Sequence, residues 1–404
     1  MFQKKAYKFT SSVTLINNTT GETRDLDKAV NGIAIKKSFS RFAFPLYVLS
    51  LHITKEVHAY IIQNDVDISL KIDRYTVEED VSSNQEETSN DPVIDKNITN
   101  IILHPYDKSR VYNTQESNEI ENPDTSNNNQ EQYISYSLNC IPRESVLFNR
   151  VIVNDCFKDA NLNEIMLNII SSNYTKDIYL QESKNTDRFD SLLIPPTSLV
   201  QSLKFLQDEY SVYDFGLNVF FEDNKLYVYD LLSLNRKFNN ELQINVVKMT
   251  ETSDKQIYQN IQVDENDNVR VYEQTNPFFF SIHDVVYDGI GSRTVFNSYD
   301  DNFNLVTRTY NNQNNMEKTR YAWNPNRLSY FETSDVNKVT KTAVLTINNA
   351  DSTMFEPDTQ VTISGASLDE INGQYIINGL NIYYSTTDYV NFINSISIDL
   401  GRIK

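Results

Sequence analysis

The chain has 404 residues, which is long enough for about two to four domains that each bury a core. Its formal net charge of -19 and isoelectric point near 4.7 exclude a nucleic-acid-binding surface, because such surfaces need clustered Lys and Arg. Two cysteines without framework spacing fit a reducing compartment, and we find neither a secretory signal nor a stretch of about twenty apolar residues for stable membrane insertion.

Residues 7–75 alternate between apolar and polar side chains with a period of two, and polar turns interrupt them near residues 17–23 and 63–65. This pattern predicts the strands of a β-barrel or a small sandwich. The runs YISYSLNCIP and SVLFNRVIVND are expected to complete it. We therefore predict a first β-barrel domain over residues 1–154.

Residues 76–132 form an acidic insertion within that domain. They hold thirteen Asp or Glu against three Lys or Arg, a net charge of -10 and more than half of the total. The two ends contain too few apolar groups to offset the entropy of ordering, so we predict flexible loops around one or two central strands in ITNIILHPYDKSRVY. A solvated insertion is favoured over a dedicated binding tail.

Residues 155–235 predict two helices followed by a β-hairpin. Asp159 or Asn161 can cap the first helix, and Thr197 or Ser198 can cap the second, after two prolines that cannot continue a helix. Gly216 follows the second helix, where a stop is expected. The apolar faces are Leu162, Ile165, Met166, Ile169 and Ile170 in the first helix, and Leu199, Val200, Leu203, Leu206 and Tyr210 in the second. The runs LNVFF and LYVYD, around a polar turn, predict the hairpin.

The remaining chain returns to strand patterns. Residues 236–337 predict a β-rich connecting domain, with a turn at residues 264–268 and a polar loop at residues 311–318. Residues 338–404 predict a small C-terminal antiparallel barrel with Gly365 and Gly373 at turns. The predicted fold class is α+β and predominantly β.

The histidines and cysteines do not form any recognised catalytic or metal-binding motif. The histidines lack the spacing of metal ligands, and neither cysteine has a local catalytic signature. The residues are His52, His58, His104, His283, Cys140 and Cys156. Gly289 and Gly291 form half of a dinucleotide fingerprint and favour a strand turn. Trp323, the only tryptophan, suits an interface anchor or a core plug equally well. We predict no catalytic, cofactor-binding or metal-binding residue.

Three stretches within residues 194–230 resemble the hub proteins of phage tails and baseplates, together with the related VgrG-type hubs of contractile secretion systems. These stretches are Ile194 to Pro196, Gln207 to Tyr213 and the hairpin from Gly216 to Asp230. The region around Phe42, Phe44 and Pro45 is loosely similar to the family's opening domain. The resemblance covers roughly a fifth of the chain. It implies two tube-forming antiparallel β-barrels that flank the helix-helix-hairpin subdomain.

The resemblance implies a structural baseplate hub, synthesised in a host cytoplasm and placed in the virion. Three copies would form a ring that adapts a six-fold tail tube to a three-fold central spike. The expected partners are further copies of the chain, the tail-tube protein and a separate spike protein, with tape-measure and baseplate wedge proteins as further candidates. We expect the ring lumen to be acidic, because such a lumen would not retain DNA or an unfolded protein in transit.

Two other classes remain open. Repeated barrels also serve tube, wedge or receptor-binding adhesin components, and an adhesin would sit at the periphery of the tail. A cell-wall-degrading tail enzyme is the least favoured alternative, because no catalytic constellation is visible.

Overall fold

The computed structural model describes the chain in segments. They are residues 5–39, 44–78, 96–108, 133–174, 177–183, 186–210, 212–213, 217–222, 225–230, 240–248, 261–263, 269–273, 280–284, 292–299, 305–310, 316–321, 341–348, 350–357, 359–365, 371–386 and 392–403. Strands dominate these segments, which confirms the prediction of a predominantly β fold.

The first half of the chain contains strands and four helices. The strands are β1 Lys5–Asn17, β2 Thr23–Asp25, β3 Val30–Ser38, β4 Leu46–Thr54, β5 Val66–Glu78, β6 Lys96–Asp107, β7 Tyr133–Pro142, β8 Ile152–Val153, β9 Cys156–Phe157, β10 Ala160–Asn161, β11 Ile178–Leu180, β12 Arg188–Phe189, β13 Leu192–Leu193 and β14 Thr197–Ser198. The helices are α1 Lys55–Gln63, α2 Arg143–Arg150, α3 Leu162–Ser171 and α4 Leu199–Tyr210.

The described residues of the second half are almost entirely strands. They are β15 Leu217–Glu222, β16 Lys225–Asp230, β17 Asn240–Lys248, β18 Ile261–Val263, β19 Val269–Glu273, β20 Phe280–Asp284, β21 Ser292–Tyr299, β22 Leu305–Tyr310, β23 Met316–Tyr321, β24 Lys341–Asn348, β25 Thr359–Ser364, β26 Gly373–Thr386 and β27 Phe392–Ile403. Short 3-10 turns lie at Asp27–Ala29 and Ser352–Met354. Gly365, predicted at a turn, follows β25 with a positive φ of 80°, whereas Gly373 is the first residue of β26 and has a φ of 154°.

One sheet of fifteen strands organises the molecule. Its order is β18-β19-β17-β25-β26-β3-β4-β7-β6-β5-β1-β27-β24-β20, with β2 paired to β1. Strand β27 pairs with β26 as well as with β1, so eight strands form a closed circuit: β1, β5, β6, β7, β4, β3, β26 and β27. The C-terminal strands thus hydrogen-bond with N-terminal strands. The division into four domains stays a prediction.

Alternation of side chains explains why this circuit is stable. Ile33 and Ile35 of β3 lie beside Tyr384 and Ile382 of β26, and all four are buried in one apolar core. The residues between them point to the other side of the sheet, because side chains alternate along a strand. The circuit therefore encloses an apolar interior and presents a separate outer surface.

The two ends of the circuit are covered by non-strand segments. Helix α1 buries Ile61 and packs Val57 and Tyr60 against the core at one end. Met354 and Phe355 contact the same core from the C-terminal part of the chain. The interior is therefore filled with side chains.

Helices α1 and α2 correct the sequence interpretation. The period-two pattern of residues 7–75 predicts strands, but Thr54 caps a helix at residues 55–63 by accepting a hydrogen bond from the Val57 amide at 3.3 Å. The run that contains α2 is predicted to be extended, yet Ser145 and Phe148, three residues apart, are both buried. Short apolar runs fit either a strand or one helical face, which is why periodicity alone fails here.

The predicted hairpin forms, and it separates two cores. All six residues of β15 are buried. Leu217, Val219 and Phe221 face the core of the helical subdomain, whereas Phe220 faces the core of the large sheet. Strand β16 alternates in the same way and also pairs in parallel with β11. A strand buried on both faces reads as nearly continuously apolar, and LNVFF is interrupted only by Asn218, which is buried and donates a hydrogen bond to the Phe39 carbonyl.

The two predicted helices of the subdomain are also confirmed. Asn161, rather than Asp159, caps α3, and Glu164 completes a reciprocal capping box. Ser198 accepts a hydrogen bond from the Gln201 amide at the start of α4. The predicted apolar positions are buried except Tyr210, which is partly exposed. Among the helices that the structure describes, none is long and apolar enough to cross a membrane.

Candidate assembly surface

The histidines take part in separate local contacts. His104 Nδ1 lies 2.8 Å from Asp67 Oδ1, and the Arg143 guanidinium lies 3.2 Å from the other oxygen of that carboxylate. His283 lies in β20, on a different part of the sheet. Within the described segments, no three His, Cys, Asp or Glu side chains are grouped as metal ligands would be.

Two further histidines contact aromatic rings. His52 stacks on Tyr133 with ring centroids 5.2 Å apart, and His58 meets the Tyr136 ring edge-on at 4.7 Å. Burial lowers the pKa of His58, because it disfavours the charged imidazole. These contacts are packing interactions at the wall of the circuit.

The cysteines are both free thiols. Cys140 is buried, and burial raises the pKa of its thiol, which makes it unreactive. Cys156 is exposed and lies 3.5 Å from the Ser191 hydroxyl. Gly289, Gly291 and Trp323 lie outside the described residues.

A buried ion pair fixes the helical subdomain to the large sheet. Lys37 Nζ of β3 lies 2.5 Å from Glu222 Oε1 of β15, with the two side chains only 5% and 9% exposed. Asn218 donates a hydrogen bond to the Phe39 carbonyl at 2.6 Å, and Phe39 packs on Phe220. The joint combines polar and apolar contacts between distant parts of the sequence.

A second ion-pair cluster holds the C-terminal segment against the first strands. The buried Asp351 carboxylate lies 2.6 Å from Arg74 and 3.1 Å from Lys96. Lys96 also donates a hydrogen bond to Thr353. These contacts place Phe355 at its end of the apolar interior.

The outer side of five neighbouring strands is almost free of charge. Two complete cross-strand rows run across β27, β26, β3, β4 and β7. The first is Ser395, Tyr383, Ala34, Val48 and Asn139, and the second is Ile393, Ser385, Gly32, Ser50 and Ser137. None of these ten residues is Asp, Glu, Lys or Arg.

The neighbouring positions extend this surface. His52 pairs with Ser135 and Thr54 pairs with Tyr133 on the β4–β7 side, and Ser397, Asn381 and Lys36 form a third row on the β27–β3 side. We call these rows and pairs together the low-charge face. Lys36 is its one charged residue, and Asp399 lies beside it at the rim, where Lys36 opposes the upward effect of burial on the pKa of Asp399.

Large side chains on the low-charge face are partly open to solvent. Tyr383 is 51% exposed, Tyr133 49% and Ile393 46%. Tyr383 lies over Gly32, where a β-carbon would come within 3.3 Å of the Tyr383 hydroxyl. Exposed aromatic and aliphatic groups without nearby charges are typical of interface centres.

The outer side of β1, β5 and β6 differs in composition. Strand β5 contributes the charged residues Asp67, Lys71 and Asp73 to this side. Lys71 forms an ion pair with Asp73 at 2.6 Å. This charged side belongs to the same circuit as the low-charge face. The contrast therefore distinguishes two outer surfaces of one sheet.

Sequence reasoning missed the low-charge face. It predicted the strands, but the register that aligns Ser50 with Gly32 and Ser137 joins segments far apart in the chain. A local signal was present, because the outward positions of LYVLSLHIT and YISYSLNC contain no Asp, Glu, Lys or Arg. That signal has meaning only once the inward and outward positions are known.

Two of the solved structures that share this fold are described as tail proteins. The tail protein from Neisseria meningitidis MC58 matches with a TM-score of 0.50 and 10% identity over 96% of both chains. The 43 kDa tail protein of prophage MuSo2 from Shewanella oneidensis matches with a TM-score of 0.50 and 8% identity over 97% of this chain and 98% of that one. A component of the E. coli type VI secretion system has a TM-score of 0.46 and 8% identity over 93% of this chain and 74% of its own.

No sequence among curated proteins matches this chain. The family described as bacteriophage PBS1 gene 109 protein, in contrast, matches residues 1–402. That match covers nearly the whole chain. The fold of the chain is shared with the two tail proteins described above. The chain therefore belongs to the bacteriophage PBS1 gene 109 protein family.

Proposed function

We propose that the chain is a structural hub of a phage tail baseplate. The observation that carries the proposal is the fold shared with tail proteins over essentially the full length of both chains, in a chain that belongs to a phage protein family. The hub role itself rests on the resemblance of residues 194–230 to hub proteins. Its described architecture is suited to rigid assembly.

In the proposed hub, three copies form a ring in the virion. The closed circuit of eight strands supplies one tube-forming barrel per copy, and the run β17, β25, β26, β27, β24 and β20 supplies strands for a second. Two similar units in each of three copies would present six to a hexameric tail tube. The opposite side would hold a separate trimeric spike, with tape-measure and wedge proteins as further neighbours.

Buried polar contacts support a rigid adapter. The Lys37–Glu222 pair and the Asp351 cluster tie three distant parts of the sequence into one body. A ring that transmits load between a tube and a spike needs such fixed geometry. The proposed role is structural rather than enzymatic. We also propose that the lumen of the ring is acidic.

A cryo-electron microscopy map of the phage particle tests this function. We expect three copies of the chain around the tail axis at the end of the tube. Six copies stacked along the tube, or copies at the periphery, would contradict the hub role and indicate a tube, wedge or adhesin component. Clearing of host cell walls by the purified protein would instead reveal an enzyme.

A further inference from the structure

We infer that the low-charge face is the surface through which copies of this chain contact each other. The inference rests on the proposed ring, and it adds the residues that form the contact. Two flanks carry the exposed large side chains. The first flank is Tyr383 and Ile393 on β26 and β27, and the second is His52 and Tyr133 on β4 and β7.

Charge identifies a second copy as the partner. Each chain has a net charge of -19, so two copies repel each other wherever their carboxylates face. A basic partner would be bound by the abundant carboxylates, whereas a partner with the same acidic surface is best met by a face that lacks charge. A second copy necessarily has that same surface. Its contact also avoids the cost of desolvating ionised groups.

The curvature of the sheet favours a contact between unlike flanks. Eight strands close the circuit, and the low-charge face covers five of them, so it passes more than halfway around. A single neighbour cannot reach both flanks of such a convex surface. Two neighbours can, if the first flank of each copy meets the second flank of the next, and contacts of this kind generate rings.

The flanks form the centre of the contact. Two strands spaced about 4.8 Å apart and about nine residues long present about 300 Å². A standard interface takes about 800 Å² from each partner, so surrounding residues must contribute the remainder. Tyr383 and Tyr133 are suited to the centre, where aromatic side chains are enriched and charges are depleted.

Three matched serine variants of the full chain test the inference. Ser395→Glu places a carboxylate beside Tyr383 on the first flank, and Ser135→Glu places one beside His52 on the second. Ser69→Glu is the control, because Ser69 has an outward position on β5, between Thr14 and Ile102 on the charged side. Circular dichroism and thermal unfolding show whether each variant folds like the wild type.

Sedimentation velocity across a concentration series measures the assembly. We expect the wild type and Ser69→Glu to assemble alike, and each flank variant to raise the apparent dissociation constant by at least about tenfold. In an equimolar mixture of the two flank variants, the unaltered first flank of Ser135→Glu can still meet the unaltered second flank of Ser395→Glu. We expect this mixture to form dimers but no rings, whereas each flank variant alone stays monomeric.

Several results would overturn the inference. A wild type that remains monomeric at the highest concentration, or flank variants that assemble like the wild type, would show that this face is not the contact between copies. Dimers of one flank variant alone would show a contact between like flanks. None of these results bears on the position of the chain in the particle, so the hub function fails or stands by the particle map.

Discussion

Strand β15 of the hairpin and the low-charge face each contain one charged side chain, but only β15 is covered by the chain itself. Every residue of β15 is buried, and its one ionised side chain, Glu222, is paired with Lys37. The low-charge face covers an apolar core on one side and exposes Tyr383 and Tyr133 on the other. Charge is normally abundant on a protein surface, and its scarcity on the low-charge face is what the proposed contact between copies explains.

The largest effect is expected from breaking the buried Lys37–Glu222 ion pair of the hairpin. Lys37→Met leaves the buried Glu222 carboxylate without its ammonium partner, so we expect a loss of about 3–5 kcal/mol in the free energy of unfolding, measured with urea. The double variant Lys37→Met/Glu222→Leu removes both charges and is expected to recover most of that loss. A loss below about 1 kcal/mol in the single variant would show that the pair does not hold the joint.

A smaller effect tests how closely the backbones of β26 and β3 approach each other. A β-carbon at Gly379 would lie 2.7 Å from the Lys37 carbonyl oxygen, so Gly379→Ala is expected to cost about 1–3 kcal/mol of unfolding free energy. Gly32→Ala is the matched control, since its nearest neighbours are 3.3 Å away and include the movable Tyr383 hydroxyl. Equal losses for both glycines would contradict this account of the packing.

The helical layer behind the hairpin provides a third test. Asn161→Ala removes the side-chain acceptor of the α3 capping box, and we expect a loss of about 1 kcal/mol in chemical unfolding. Asn168→Ala, in the same helix on its exposed side, controls for helix propensity. If both variants unfold alike, the box does not stabilise α3.

The smallest effect concerns the end of the apolar interior at α1. Burial lowers the pKa of His58 in the folded state, so between that value and the unfolded pKa of about 6.5 the unfolded chain binds more protons. Stability should therefore fall as the pH drops below about 6.5. His58→Phe should show a smaller decrease between pH 7.5 and 5.5, as measured by urea midpoints. An identical decrease would show that His58 does not contribute.

The sequence predicts the subdomain far better than the outer surfaces of the sheet. Its signals are local: the spacing of Ile165, Met166 and Ile169, the cap at Asn161, and the alternation across the hairpin. The circuit depends instead on pairing between residues such as Ala34 and Tyr383, whose separation in the chain no local pattern spans. The sequence does not predict helix α1, because a short apolar run fits either a strand or one helical face.

The candidate surface was unpredictable for the same reason. Serine and asparagine in a strand are unremarkable singly, and they form a continuous low-charge face only after five strands are aligned. Reactive side chains form motifs that a sequence can reveal, whereas the informative feature of this face is the scarcity of charge in a chain with a net charge of -19.

Hydroxyl-radical footprinting of two matched tyrosines tests the central claim most directly. Tyr383 on the low-charge face is 51% exposed, and Tyr106 on β6, at the charged side, is 52% exposed. In the dilute free chain we expect both rings to be oxidised at similar rates. In the assembled ring we expect oxidation of Tyr383 to fall several-fold while that of Tyr106 is unchanged; equal oxidation of both in the assembly would contradict the claim that copies meet through the low-charge face.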